Sequence, residues 1–387
     1  MITALTLLSL LIWLYLALFH HDFWRRREFL PEIGHNIDWP EVTSLTPARN
    51  EEAVISHSLN SLLLQNYAGA YKTILINDSS DDDTLSLAQS AMKGSPSATI
   101  LEAPPLGKGW SGKLWALHNG FKSIPKDERP DYYWLSDADI THAPDTLGRL
   151  VTLARQNDLA MVSLMVTLNC KTKWEALIIP AFIYYFQMLY PFAATANPKS
   201  KFAGGAGGCI LIRRDALEAI GGIEAIKDTL IDDCALAAAI KGKGYNIWLG
   251  HGMDSHSIRE SAGLPDLWKM VTRTAFTQLN FSYLKLFGAI FGMFVMYALP
   301  VIAAIYGLIS RDFNLAALGT TTWIIMAITY APTIRAYGRP IAASLLMPFT
   351  AHLFMAMTLH SGWLHFRGSH SGWRGRVYDK QSSQKEP

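Results

Sequence analysis

Residues 2 to 19, ITALTLLSLLIWLYLALF, contain no charged side chain, and no other feature restricts the fold of this chain as strongly. A helix of about 18 apolar residues just spans the hydrocarbon core of a bilayer. A cleaved signal peptide would begin with a basic segment and end in small residues. Here no basic segment precedes the run, and the bulky FHHDFWRRR follows it. Residues 1–21 therefore read as a retained anchor. Three more apolar stretches lie at about 286–309, 315–332 and 341–362, in a hydrophobic C-terminal region taken as 285–363. Between the anchors, residues 22–284 are mixed, as in a water-soluble domain. Arg25, Arg26 and Arg27 directly follow the first run, so the positive-inside rule puts that domain on the cytoplasmic face of the cell membrane. One conflict stays open. Three full C-terminal crossings would export the tail, 364–387, yet that tail is basic and belongs inside. One of the three stretches is expected to be re-entrant or interfacial.

Half of the 387 residues are hydrophobic, and the net charge is +2. This balance selects no charged partner, and basic residues form no stripe interleaved with aromatics, so nucleic acid is not expected. Cys170, Cys209 and Cys234 are odd in number and lack metal-ligand spacing, as suits a reducing compartment.

Within the soluble region, short apolar runs alternate with helix-period segments. EVTSLTP, YKTILIND, SATILEA and DYYWLSDAD read as strands. Ile55, Leu59, Leu62 and Leu63 fall on one helical face, as do Leu114, Leu117, Phe121 and Ile124. Such alternation argues for a doubly wound α/β sheet whose functional residues sit at the carboxyl ends of strands. Three strands end in polar clusters: PARNEE, NDSSDDDT and DAD. Two hard carboxylates at such an end suit a divalent cation, although an isolated D-x-D is commonly a solvated strand end. Part of the run Asp81 to Asp83 is expected to cap a helix; Asp78 stands too early for that.

Two better-known motifs fail. DSSDDDTLSLAQ lacks the sixth-position glycine and the terminal glutamate of an EF-hand loop. GKGWSGKL has Leu114 where a P-loop requires a hydroxyl. Further on, GGAGG at 204–208 lets the backbone approach a ligand closely, and Asp232 and Asp233 open a helix. LPDLWKMVTRTAFTQL, about 264–280, is amphipathic and reads as an interfacial helix carrying Lys269 and Arg273. EALIIPAFIYYFQMLYPFAATA, 175–196, is either a core helix or a second interfacial one.

The ordered set TPARNEE, INDSSDDDT, GKLWALHNG, LSDADI, GGAGGCILIRR, IDDCAL and RTAF resembles the family 2 glycosyltransferases of the GT-A fold over about residues 40 to 280. With the anchor, the hydrophobic C-terminal region and WRGRVY at 373–378, the chain is most similar to the membrane-bound, hopanoid biosynthesis-associated members. The resemblance implies a GT-A catalytic domain, Rossmann-like with a doubly wound mixed sheet, between N- and C-terminal transmembrane helices. It implies inverting transfer of a sugar from a nucleotide donor, UDP-linked, to a lipid acceptor such as a hopanoid or another polyisoprenoid, with Mn2+ or Mg2+ as cofactor. A non-catalytic scaffold or transport protein that binds nucleotide sugar is the alternative. Matched position by position, Ala48, Glu51 and Asp78 hold the base and ribose, Lys113 stands near the phosphates, and Asp137 and Asp139 serve nucleotide and metal. Asp233 is the general base beside Asp232, and Arg273 corresponds to the arginine of a Q-x-x-R-W motif. Met270 and Thr274 depart from that motif, which favours a single transfer over polymerisation.

Overall fold

The computed structural model of the chain describes residues 1–35, 37–368, 372–373 and 376–377. It divides into two compact units that interleave along the sequence. One comprises Arg27–Asn169 and Ala194–Glu260, with the C-terminal stretch from His370; the other comprises Met1–Arg26, Cys170–Ala193 and Ser261–Ser369. The sequence alone draws one continuous domain over 22–284; within that range, packing groups 22–26, 170–193 and 261–284 with the helical unit. Of WRGRVY, only the paired strands Gly372–Trp373 and Arg376–Val377 are described; the rest of that motif and of the tail beyond 368 lies outside the described residues.

The α/β unit is built on a sheet of eight strands: β1 (Val42–Ala48), β2 (Tyr71–Asn77), β3 (Ala98–Glu102), β4 (Tyr132–Ser136), β5 (Ile140–His142), β6 (Met161–Thr167), β7 (Cys209–Arg213) and β8 (Ile247–Ser257). Their order is β3-β2-β1-β4-β7-β6-β8-β5. The first four in that order are mutually parallel, and β7 runs antiparallel to both β4 and β6. The sheet is thus the mixed one expected. Its central strands are apolar on both faces because helices cover both. Tyr133 and Leu135 of β4 pack with Leu114, Leu117 and Phe121 on one side, while Tyr132 and Trp134 pack with Leu147, Leu150 and Val151 on the other. Each fully buried side chain of this size contributes about 1.5–3 kcal/mol.

In the helical unit, Tyr283–Met293 continues through a π-turn, Phe294–Ala298, into Leu299–Ser310, and Phe313–Ala336 returns antiparallel to it. The first helix, Ile2–Phe19, joins this pair through Trp13, whose Nε1 donates to Met296 O at 2.9 Å. The last stretch behaves differently. After Ala336 the 3-10 turn Ile341–Leu346 folds back along the preceding helix, and Trp323 Nε1 donates to Leu345 O at 3.0 Å, in the middle of that helix. Helix Met347–Phe366 then runs back. Its end meets Tyr283, whose hydroxyl donates to Gly362 O at 3.3 Å, and helix Leu264–Gln278, where Ser361 Oγ donates to Thr272 O at 2.5 Å. Both ends of 340–366 therefore lie at one end of the bundle. Helix Lys173–Leu189, opened by a Thr172–Glu175 capping box, starts near Arg339, which donates to Cys170 O. It finishes near Gln278, bonded to the Tyr190 hydroxyl at 2.8 Å, at that same end.

The antiparallel pair packs backbone to backbone. A Cβ at Gly319 would collide with Pro300 O and Ala304 N, neither of which a side-chain rotation can move away. Gly319→Ala is therefore expected to destabilise the protein by about 1–3 kcal/mol, the usual cost of overpacking. A detergent-solubilised thermal melt, compared with the exposed control Gly288→Ala, which meets nothing within 4 Å, measures it.

Candidate active site

β1, β2 and β4 are parallel and in register, Ala48 opposite Asn77 and Leu45 opposite Leu135, so their polar carboxyl ends are neighbours. Ala48 and Asp78 are both fully buried there. Arg49, which sequence reasoning passed over, ties the two loops: its Nη1 donates to the Asp78 and Ser79 carbonyls at 2.6 Å each, and its Nη2 to Asp81 at 3.1 Å. The acidic run serves mainly as loop staple and helix cap. Asp82 accepts from Thr84 N at 3.0 Å and from Glu52 N at 3.2 Å, and Asn50 accepts from Asp81 N at 2.9 Å.

Four of the expected residues line one small crevice: Lys113, Asp137, Asp232 and Asp233. Lys113 is delivered by helix Gly112–Ser123, whose start is capped by Ser111 accepting from Leu114 N. Its Nζ lies 2.8 Å from Asp137 Oδ1 and 3.4 Å from Asp232 Oδ2. Burial works against the ammonium, but Asp137 and Asp232 outweigh it and hold Lys113 charged. Asp137 is pushed up by burial and pulled back by Lys113. Asp232 and Asp233 open helix Asp232–Gly242. Asp233 bonds the backbone through both oxygens, accepting from Cys234 N and from Gly207 N at 2.8 Å each. Burial first, and then the neighbouring Asp232 charge, raise its carboxyl to about 6. The glycine stretch permits this closeness. A Cβ at Gly207 would lie 2.8 Å from Lys113 Nζ, and one at Gly205 would lie 2.8 Å from Asp233 O.

Glu51 and Asp139 meet through a residue that the sequence did not announce. Arg259 Nη2 lies 2.8 Å from both Glu51 oxygens, and its Nε lies 3.1 Å from Asp139 Oδ2, which also accepts from Ser257 Oγ at 2.9 Å. The sheet makes this possible, because β5 pairs antiparallel with β8 and sets Ile140 opposite Ser257. Burial pushes the Glu51 carboxyl up to about 7 although Arg259 pulls it down; the short contacts and the guanidinium, which stays charged, favour the ion pair. Beneath lies His142, buried and held neutral by burial, its pKa lowered to about 3. Its Nε2 bonds Ser136 and its Nδ1 bonds Ser255, each at 2.9 Å. This bridge fixes the end of β4 to β8 on either side of the DAD turn. Arg273 is exposed on helix Leu264–Gln278, which belongs to the helical unit.

Among the described residues no three His, Cys, Asp or Glu side chains form a metal-holding group. Asp137 and Asp139 nevertheless supply hard oxygen donors of the kind Mg2+ or Mn2+ accepts when substrate phosphates complete the shell. In this structure their charge is met by Lys113 and Arg259. The donor chemistry fits a divalent ion held jointly with a diphosphate.

The sequence profile described as glycosyl transferase family 21 matches residues 4–385. No curated protein matches the chain. Among solved structures, a mannosyltransferase from Pyrobaculum calidifontis, in complex with GDP-Man and Mn2+, is similar with a TM-score of 0.57 at 16% identity, over 96% of this chain and 100% of that one. Glucosyl-3-phosphoglycerate synthase from Mycobacterium tuberculosis, in complex with Mn2+ and UDP-Glc, has a TM-score of 0.40 at 18% identity, over 62% of this chain and 78% of that one. The family profile and the mannosyltransferase structure show that the fold is of the GT-A type.

The two glycines of the crevice should respond differently to a methyl group. Gly205→Ala drives Cβ against backbone and is expected to lower stability by about 1–3 kcal/mol. Gly207→Ala is crowded by a side-chain end, Lys113 Nζ, with Asp233 at ordinary contact distance, so its melting temperature should stay near that of the unsubstituted protein while nucleotide binding weakens. Differential scanning fluorimetry with and without UDP separates the two effects.

Proposed function

The chain belongs to glycosyl transferase family 21, and from that premise we propose that it is a membrane-bound inverting enzyme that moves one sugar from a UDP-linked donor to a lipid acceptor, a hopanoid or another polyisoprenoid. The observation that carries this reading is the crevice at the strand ends, where Lys113, Asp137 and Asp232 surround Asp233. Asp233 is the general base. An acceptor hydroxyl attacks the anomeric carbon as its proton passes to the Asp233 carboxylate, and the bond to the diphosphate oxygen breaks with its electrons leaving on the nucleotide. Attack opposite the leaving group inverts the anomeric configuration. A carboxylate near pKa 6 is well matched to this task at neutral pH. Lys113 stabilises negative charge on the departing diphosphate, while Ala48 and Asp78 border the base and ribose and Asp232 keeps Lys113 in place. Asp137 and Asp139 would hold Mn2+ or Mg2+, which when bound supplies Lewis-acid neutralisation of the diphosphate. Arg273 is proposed to contribute positive charge toward the same diphosphate.

Five helices among the described residues are long and apolar enough to cross a membrane. Packing within the helical unit supports fewer crossings: Ile2–Phe19, Tyr283–Ser310 and Phe313–Ala336 cross. Helix Lys173–Leu189 packs Tyr184 and Tyr185 against Tyr330, Tyr297 and Phe354 and is assigned to the interface, beside a lipid acceptor. The stretch 340–366 is re-entrant. This reading keeps the basic tail in the cytoplasm together with the α/β unit, as the positive-inside rule requires, and removes the conflict left by three full crossings.

Four outcomes are expected. UDP release from a panel of UDP- and GDP-linked sugars with Mn2+ should appear only when membrane lipid extract is present. Asp139→Asn should lose activity that excess Mn2+ partly restores, whereas Asp233→Asn should lose about 10²–10⁴ in rate that no metal restores, both melting like the unsubstituted protein. Asp233 works as the carboxylate, so kcat/KM should climb with pH through about 6 and level off above it. A C-terminal green fluorescent protein fusion should fluoresce in cells, and a C-terminal alkaline phosphatase fusion should be inactive; an active phosphatase would place the tail outside.

A further inference from the structure

Glu51, Asp139 and Arg259 form a triad in which the chemistry proposed above gives a task to Asp139 alone. Glu51 is only 6% exposed, Asp139 15% and Arg259 39%. The guanidinium has turned its Nη2 to both Glu51 oxygens and its Nε to Asp139. One cation from the end of the α/β unit's Ala194–Glu260 segment therefore serves two carboxylates from the loops after β1 and β4, and one of those carboxylates is the second acid of DAD. Asp139 Oδ2, which already accepts from the Arg259 guanidinium and the Ser257 hydroxyl, is not free to complete a cation's shell. A divalent ion that takes this oxygen must first displace one of those donors.

We propose that Arg259 is a placeholder cation. It holds Asp139 while no donor is bound, surrenders that carboxylate to the incoming metal, and stays anchored by Glu51 as a second positive charge beside the donor's diphosphate. The proposal rests on the metal-dependent reading above and assigns Glu51 a positioning role, as the anchor that keeps Arg259 at the crevice. Its physical consequence is a coupling between metal and nucleotide. Metal alone competes with Arg259 and binds weakly, because apparent affinity is reduced by the fraction of protein whose ligand is free. When metal arrives with a diphosphate, the displaced guanidinium gains a new anionic partner, and the competition disappears. The arrangement would also keep the acid cluster neutralised between turnovers, when neither metal nor nucleotide is present.

The test uses full-length protein in detergent and reads binding directly. Free Mn2+ is followed by electron paramagnetic resonance, first with Mn2+ alone and then with UDP at saturating Mn2+. Removing the competitor in Arg259→Gln should tighten binding of Mn2+ alone by roughly 3- to 10-fold, while UDP binding at saturating Mn2+ weakens by a similar factor. Loss of fold or of site shape would weaken both, so the opposite signs identify the placeholder. Glu51→Gln provides an independent variant of expected opposite sign for the metal: with one carboxylate neutralised, Arg259 is left to Asp139 alone and Mn2+ binding weakens. Unchanged or weaker Mn2+ binding in a normally melting Arg259→Gln protein would overturn the proposal. Failure of the unsubstituted, folded protein to bind Mn2+ even with UDP would remove the metal-dependent reading itself, and the placeholder with it.

Discussion

The neutralisation of carboxylates gathered at adjacent strand ends governs the α/β unit. Parallel pairing of β2, β1 and β4 brings their carboxyl ends together, and the helix carrying Asp232 and Asp233 adds two more acids. So many like charges, partly withdrawn from water, would repel one another and be costly to ionise. Two cations make the cluster tenable: Lys113 between Asp137 and Asp232, and Arg259 between Glu51 and Asp139. Asp233 is the acid that neither cation contacts directly. It relies on two backbone N–H groups instead, which pull its pKa down less than burial and the Asp232 charge push it up. The same imbalance that makes it uncomfortable as an anion makes it useful as a proton acceptor.

Glycine and histidine do the positioning. Gly207 N approaches Asp233 closely, and a Cβ at Gly207 would sit 2.8 Å from the Lys113 ammonium and displace it. His142 spans from Ser136 to Ser255 in its neutral form. By joining the residue before DAD to β8, it holds the turn against the segment that carries Ser257 and Arg259. His142 touches none of the proposed reacting atoms and Gly207 meets them only through its N–H on Asp233 Oδ2, yet both set the distances on which the chemistry depends.

Much of this was legible in the sequence where the signal is local. The run YYWL reports a strand buried on both faces, and the polar residues after β1, β2 and β4 reported the crevice, because a parallel sheet leaves that end open. Lys113, Asp137, Asp139 and Asp233 stood out through their neighbours in the chain. Arg259 did not. Its partner Glu51 is 208 positions away, and a lone arginine after a strand has no local mark of an ion pair. His142 likewise looks like any histidine in a short strand. In the helical unit, hydropathy located each apolar stretch but carries no information on direction. Only the contacts of Leu345 with Trp323 and of Ser361 with Thr272 reveal that the last stretch turns back. The helix Lys173–Leu189 was similarly ambiguous, because apolar composition is shared by core, interfacial and spanning helices.

The anomeric configuration of the transferred sugar tests the central claim most directly. A single carboxylate base facing a diphosphate leaving group permits only one displacement, so an α-linked UDP-sugar must give a β-linked glycolipid, read from the anomeric proton coupling of the purified product. An α-linked product would require either a covalent intermediate or front-face attack, and would contradict the role assigned to Asp233.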